Sequence, residues 1–124
     1  MKNDSFLASL KIAIRSLFEA AATERNFRIQ LAIAVAVIVA GLILGLTTIE
    51  WIVIAICIGG VLSAELINTA IESVVDLLQP EIDERARRAK DFAAGSVLVV
   101  SITAAVVGLL VFSRHLHEWL ESGI

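Results

Sequence analysis

The chain has 124 residues, of which 58% are hydrophobic, and its net charge at pH 7 is -3. Its apolar residues form runs too long for a soluble domain of this size, which indicates one integral membrane domain over residues 1–124. No basic patch is interleaved with aromatic side chains, which argues against a nucleic-acid partner. Cys57 is the single cysteine, so an internal disulfide is excluded.

Residues 1–26 have an amphipathic pattern. Apolar side chains lie broadly on one face, while Lys11, Arg15 and Glu19 are spaced four apart on another. This pattern predicts a helix that lies along the membrane surface. Lys11 and Arg15 would interrupt the apolar core of a signal peptide, which argues against that interpretation.

Three segments are long and apolar enough to cross a hydrocarbon layer of roughly 30 Å. The predicted membrane helices are residues 27–46, 49–78 and 92–112. Pro80 ends the second, residues 81–90 form a highly charged connection, and residues 113–124 form a short amphiphilic tail. The sequence therefore predicts an all-α membrane protein with three transmembrane helices and an N-terminal surface helix.

Two details concern the ends of these helices. Thr48 is the predicted N-cap of the second membrane helix, with Glu50 in its first turn. His115 and His117 lie two residues apart and do not share a helix face, so a surface role is preferred to metal binding.

The positive charges predict the orientation. Of the ten Lys and Arg residues only Arg114 follows the third membrane helix, and the others lie before the first or between the second and third. Under the positive-inside rule this distribution places the N-terminus and the 81–90 connection in the cytoplasm. We therefore expect a multi-pass membrane protein, and the family resemblance given below implies the bacterial inner membrane.

A polar stripe occupies one side of the second membrane helix. Glu65, Asn68, Glu72 and Asp76 fall within about 80° of arc at roughly 100° per residue. An acidic residue at the centre of a membrane helix costs about 2.5 to 3.5 kcal/mol on insertion scales. Such residues indicate a functional site, although hydrogen bonding between helices is an alternative role.

The chemistry of this stripe suits phosphoryl transfer. Carboxylates bind Mg²⁺ together with substrate phosphates, nearby Lys and Arg bind phosphate, and a glutamate within reach of an alcohol acts as a general base. The sequence contains no P-loop and no kinase glycine-rich loop, so any nucleotide site must be built from helix surfaces. A non-enzymatic membrane assembly protein, with the stripe holding helices together, is the alternative class.

Residues 65–76, ELINTAIESVVD, followed by AKD at 89–91, resemble the signature of the prokaryotic diacylglycerol kinase family. Residues 23–28, TERNFR, resemble the segment that precedes the first membrane helix in that family. The resemblance covers nearly the whole chain. It implies a membrane lipid kinase that uses ATP and Mg²⁺, assembled as a homotrimer with active sites shared between subunits.

The resemblance also implies roles for individual residues. Glu65 matches the general base that takes the proton of the lipid hydroxyl, and Glu24 and Glu72 match the Mg²⁺ ligands that bridge the ATP phosphates. The residues that match nucleotide-organising positions are Asn68, Lys90 and Asp91. Further candidates, whose roles the resemblance leaves open, are Asp76, Arg28 and Arg15.

Two substrate branches exist within the family. The segment AKDFAAG at 89–95 and the segment TERN at 23–26 look more like the branch that phosphorylates undecaprenol. Diacylglycerol is the alternative lipid substrate. Ser16 in the N-terminal helix and the charged residues 82–85 depart from the family pattern, at positions that concern lipid entry and loop docking more than the chemistry.

Overall fold

A computed structural model describes residues 5–123 and contains four α-helices in that range. The helices are α1 (Phe6–Thr23), α2 (Arg25–Leu44), α3 (Thr48–Leu78) and α4 (Glu84–Glu121). By length and composition α2, α3 and α4 are each able to cross a membrane. The predicted fold class, three membrane helices preceded by an amphipathic helix, is therefore confirmed.

The corner between α1 and α2 is a single residue, Glu24, whose backbone is extended at φ -108° and ψ 111°. The guanidinium of Arg28 donates to the carbonyl oxygens of Ala21 and Ala22, each at 3.1 Å. These carbonyls lie in the last turn of α1, where no further helical N–H is available to them. Arg28 therefore fixes the corner that carries Glu24.

The turn between α2 and α3 is set by a glycine and a capping box. Gly45 ends α2 in the left-handed region at φ +76°, a conformation that glycine adopts without steric cost. Thr47 Oγ1 accepts from the Glu50 N–H at 3.3 Å, and the Glu50 carboxylate accepts from the Thr47 N–H at 2.9 Å. The expectation that Thr48 caps α3 is wrong, because Thr47 has the extended backbone of an N-cap and Thr48 is already helical.

Glycines allow close packing on both sides of α3. A Cβ atom at Gly41 of α2 would lie 2.7 Å from the Trp51 ring of α3, and one at Gly60 would lie 3.2 Å from the Val100 side chain of α4. α3 therefore packs against both neighbouring helices and forms the centre of the bundle, with α4 as its main partner. Many apolar side chains of α2, α3 and α4 are exposed on the outside of this bundle, as expected of surfaces that face lipid or other subunits.

The loop between α3 and α4 is shorter than the sequence indicated. The charged segment 81–90 was expected to be a connection, yet α4 begins at Glu84. Asp83 caps the helix, accepting from the N–H groups of Arg85 at 2.8 Å and Ala86 at 3.4 Å. These bonds, first that of the Arg85 N–H, hold the pKa of the Asp83 carboxyl below its usual range.

Ion pairs within one helical turn extend α4 outside the apolar segment. Arg87 pairs with Glu84 and with Asp91, spaced three and four residues away. At the other end α4 continues to Glu121, through most of the segment that the sequence indicated as a tail. α4 thus extends beyond both ends of the predicted membrane segment 92–112. Hydropathy identifies the apolar part of a helix and not the residues at which the helix begins and ends.

Candidate active site

The polar stripe of α3 lies at the end of the bundle where α2 begins and α4 begins. Glu65 and Asn68 are buried, with 4% and 6% of their surfaces exposed, while Glu72 is exposed. The Asn68 side-chain N–H donates to the Glu72 carboxylate at 2.7 Å. The Asn68 Oδ1 atom is buried and has no hydrogen-bond partner in the structure. A buried carboxylate and an unsatisfied amide oxygen are unusual in a purely structural contact.

The corner between α1 and α2 brings further polar groups to this stripe. The Glu72 and Glu24 carboxylates lie close enough to Glu65 for their charges to act on it, and the Asn26 side chain lies near Glu65 as well. Carboxylates from two separate parts of the chain therefore lie around Glu65. Negative charges at one end of the bundle favour a nearby cation. Asn26 is a site residue that the sequence interpretation did not single out.

α4 contributes a cation to the same end of the bundle. The Lys90 ammonium donates to the Asp76 carboxylate at 2.8 Å, which links the start of α4 to the last turns of α3. Both side chains are partly exposed, so the pair is accessible to a water-soluble ligand. Lys90 is therefore held next to the stripe while its remaining N–H groups are available to donate.

The remaining predicted site residues lie farther from this group or have other partners. The Asp91 carboxylate is exposed and accepts from Arg87, its neighbour four residues away. Arg28 caps α1 as described above, and Arg15 lies on the exposed surface of α1. The structure therefore places Glu24, Glu65, Asn68 and Glu72 at one end of the bundle, with Asn68 bonded to Glu72. Asp91 and Arg28 bond to other groups, and Arg15 lies on the exposed surface.

A surface cleft adjoins the Lys90–Asp76 pair. Its volume is about 420 Å³, and it is enclosed by the end of α3, residues 79–83 and the start of α4. Its charged lining residues are Asp76, Glu81, Asp83, Arg87, Lys90 and Asp91. Its two cations, Arg87 and Lys90, are paired with the Asp91 and Asp76 carboxylates, and both still have N–H groups that can donate to phosphate oxygens.

The carboxylates also bear on metal binding. Among the residues from 5 to 123, no three His, Cys, Asp or Glu side chains converge closely enough to form a metal site by themselves. Mg²⁺ needs only one or two protein carboxylates when substrate phosphates and water complete its coordination. Glu24 and Glu72 could supply these carboxylates, since they lie on different elements near the buried Glu65.

A second charged cluster lies at the opposite end of the bundle. The Glu50 carboxylate accepts from Arg114 at 2.9 Å and lies 2.6 Å from His115 Nε2. The His115 side chain is nearly buried, so the expected surface role of His115 is wrong. This contact could not be predicted from the sequence, because the partners are far apart in the chain and a histidine near a helix end is usually solvated.

Membrane-crossing helices that hold a buried carboxylate, an amide and a cation beside a charged cleft define a membrane enzyme site. Over residues 11–112 the chain matches the family described as "Prokaryotic diacylglycerol kinase". This match covers most of the chain, and the chain belongs to that family. The class is that of the lipid kinases, for which ATP is the phosphate donor.

Individual relatives support the same assignment. The chain is 45% identical to an undecaprenol kinase of Bacillus subtilis, over 86% of this chain and 87% of the relative. It is also 45% identical to a diacylglycerol kinase of Synechocystis, over 84% of this chain and 60% of the relative. A diacylglycerol kinase of Sinorhizobium is 35% identical over 67% of this chain and 61% of its own length.

Proposed function

We propose that this protein phosphorylates undecaprenol, transferring the γ-phosphate of ATP to give undecaprenyl phosphate. The undecaprenol kinase of Bacillus subtilis supports this choice, because the similarity extends over nearly all of both chains. The observation that carries the catalytic proposal is the burial of Glu65 among Glu24, Asn26 and Glu72 at one end of the membrane helices.

In the proposed reaction Glu65 acts as the general base. Its carboxylate accepts the proton of the lipid hydroxyl, and the hydroxyl oxygen forms a bond to the γ-phosphorus as the bond from that phosphorus to the bridging oxygen breaks. The products are the lipid phosphate and ADP. A buried glutamate suits this step because it meets a hydroxyl that stays in the membrane and because few waters compete for the phosphoryl group.

Glu24 and Glu72 are the residues that would hold Mg²⁺ together with the phosphates. The ion would neutralise charge on the phosphates during transfer. The Asn68 amide supports this arrangement, since its N–H orients the Glu72 carboxylate and leaves its own buried oxygen available. Glu24 reaches the site because Arg28 fixes the corner between α1 and α2.

The nucleotide is assigned to the cleft beside Lys90. Lys90 and Arg87 would bind phosphate oxygens, with Asp76 and Asp91 orienting these two cations. The exposed position of the cleft suits a water-soluble ligand, whereas Glu65 suits the hydroxyl of a lipid. The site therefore lies between an aqueous and an apolar region.

The orientation and the assembly belong to the same proposal. We place the N-terminus and this site on the cytoplasmic side of the bacterial inner membrane, where ATP is available, on the basis of the distribution of basic residues. We also propose a homotrimer with sites shared between subunits. The exposure of Glu72 and of much of the apolar surface in one protomer supports a neighbour at these faces.

A diacylglycerol substrate is the second candidate. The relatives from Synechocystis and Sinorhizobium are both diacylglycerol kinases. The reaction at the hydroxyl would be the same for either lipid. The choice between them therefore concerns the hydrocarbon part of the substrate and not the glutamates.

The experiment is phosphate transfer from γ-labelled ATP by the purified protein in detergent with Mg²⁺, with undecaprenol and diacylglycerol offered together. Glu65→Gln is compared in parallel, because glutamine keeps the size and hydrogen bonding of the side chain but cannot accept the proton. We expect transfer mainly to undecaprenol and a loss of at least a hundredfold in the variant, on the order of the effect of a general base.

The outcomes separate the alternatives. Preferential transfer to diacylglycerol would change the substrate and retain the chemistry. Normal turnover by Glu65→Gln would remove Glu65 from the role of base. Absence of transfer to either lipid by correctly assembled protein would contradict the proposed activity.

A further inference from the structure

An apolar groove of about 600 Å³ runs between α2, α3 and α4. It exists because α4 packs closely on α3 while α2 and α4 make few contacts with one another. Its wall is almost entirely apolar, and its polar side chains are Gln30, Cys57 and Ser101. The groove therefore opens sideways between α2 and α4, with α3 as its floor.

One end of the groove reaches the candidate active site. Gln30 and Leu62 line that end, and Leu62 precedes the buried Glu65 by three residues, about one helical turn. Gln30 follows Asn26 by one turn on α2, and the Asn26 side chain lies near Glu65. A lipid whose hydroxyl lies at Glu65 thus has an apolar path that begins within one turn of the reacting atoms.

The other end of the groove lies next to the second charged cluster. Ile54 lines this end, one helical turn after Glu50. Phe112 also lines it, two residues before Arg114. The bond between Glu50 and Arg114 joins α3 to α4 there and places charge across the end of the groove. On α4 the wall extends from Ser101 to Phe112, a length of roughly 17 Å at 1.5 Å per residue.

We propose that this groove binds the part of the hydrocarbon chain nearest the hydroxyl of the lipid substrate, an inference that rests on the proposed function. In a membrane an open apolar groove is filled by hydrocarbon. Its volume is about twenty times the roughly 30 Å³ that a water molecule occupies in the liquid, and a methylene is of similar size. The groove therefore accepts one chain of about twenty carbons, or four isoprenoid units, and is too small for a helix of about 10 Å diameter.

The groove favours a lipid alcohol with one chain. Undecaprenol carries a single chain directly on the hydroxyl-bearing carbon, so the part of that chain nearest the hydroxyl can enter the groove behind it. Diacylglycerol has two chains that diverge from the glycerol carbons, and only one of them fits. Moving a lipid tail from the membrane into the groove gains little affinity, because the tail is already surrounded by hydrocarbon. The groove instead positions the lipid, so that its hydroxyl lies against Glu65.

Cys57 provides a direct probe of occupancy. It is the single cysteine of the chain and it lines the floor of the groove. We would measure the rate at which N-ethylmaleimide labels Cys57 in full-length Glu65→Gln, which binds lipid without turnover. Undecaprenol should slow labelling at least fivefold, diacylglycerol should slow it less, and ATP with Mg²⁺ should leave it unchanged.

A matched pair of glycines tests the same groove by activity. A Cβ atom at Gly108 meets no neighbouring atom and Gly108 lines the groove, so Gly108→Leu adds a side chain at the wall of the groove from an open position. Gly59 has an equally open position and lies outside the groove. Gly108→Leu should lower kcat/KM for undecaprenol at least tenfold with the KM for ATP unchanged, whereas Gly59→Leu should leave both values near those of the wild type.

The two measurements distinguish failure of the groove from failure of the proposed function. Turnover of undecaprenol without protection of Cys57, or with Gly108→Leu as active as Gly59→Leu, would overturn the groove and leave the kinase in place. Protection of Cys57 by a lipid alcohol that the wild-type protein does not phosphorylate would support the groove and contradict the activity.

Discussion

The Lys90 ammonium donates to the Asp76 carboxylate at 2.8 Å, and this contact joins the first turns of α4 to the last turns of α3. The pair sits at the edge of the cleft assigned to the nucleotide. Its two members thus have different proposed tasks: Lys90 binds phosphate, and Asp76 positions Lys90.

Substitution of each member should separate these tasks. Lys90→Met removes the charge and should lower kcat/KM for ATP by about 10- to 100-fold, since a hydrogen bond to a charged group is worth roughly 1.5 to 3 kcal/mol. Asp76→Asn keeps an acceptor oxygen and should raise the KM for ATP less than tenfold, with kcat nearly unchanged. Steady-state kinetics with ATP varied at saturating lipid measures both effects. An equal loss of kcat in the two variants would assign Asp76 a direct part in the reaction.

Removal of one glutamate should alter the requirement for Mg²⁺. Glu72→Gln keeps the hydrogen bond to Asn68 through the amide oxygen but loses the negative charge. We expect the Mg²⁺ concentration for half-maximal activity to rise at least tenfold. Glu19→Gln, on the exposed surface of α1, serves as the control and should leave that concentration unchanged. An unchanged requirement in Glu72→Gln would remove this residue from the metal site.

The cluster around Glu50 should contribute to stability without affecting catalysis. Glu50→Ala removes the acceptor shared by Arg114 and His115 and also the capping box at the start of α3. The midpoint of thermal unfolding in detergent should fall, while kcat measured well below that midpoint should stay near the wild-type value. Glu118→Ala, an exposed carboxylate on α4, provides the comparison. A midpoint equal to that of the wild type would show that the cluster adds nothing to folding.

Packing between α2 and α3 should be sensitive to one methyl group. Gly41→Ala would place its Cβ atom 2.7 Å from the Trp51 ring, so the two helices must separate or the ring must move. Overpacking of this kind typically costs about 1–3 kcal/mol. Gly59→Ala adds the same methyl group to an open position and should be neutral or slightly stabilising. Unfolding of both variants by chemical denaturant in mixed micelles measures the difference, and equal stability of the two would contradict the observed contact.

The sequence predicted the helical membrane fold because apolar runs and their lengths are local properties. It also identified the stripe on α3, since Glu65, Asn68 and Glu72 lie on one face of a helix whatever the tertiary structure. It did not predict the approach of Asn26 to Glu65, because that contact depends on the angle between α1 and α2. The capping of α1 by Arg28 is equally invisible in a pattern of charges, where an arginine before a membrane helix is most simply a determinant of orientation.

The limits of hydropathy explain the remaining differences. The start of α4 at Glu84 depends on the Asp83 cap and on ion pairs along one turn, which an apolar window does not detect. The contact between Glu50 and His115 joins residues 65 positions apart in the chain. Such pairs follow from the packing of α3 against α4, and the packing of these helices is not encoded in any single segment.

The pair formed by Glu50 and Arg114 also has a consequence for biosynthesis. Glu50 begins α3 and Arg114 lies near the end of α4, so the two meet only after both helices have crossed the bilayer. Until then the Glu50 carboxylate lies at one membrane surface and Arg114 has not yet reached it. Completion of the final crossing would therefore bring the two charges together, and the need to break their contact would oppose the reverse passage of α4.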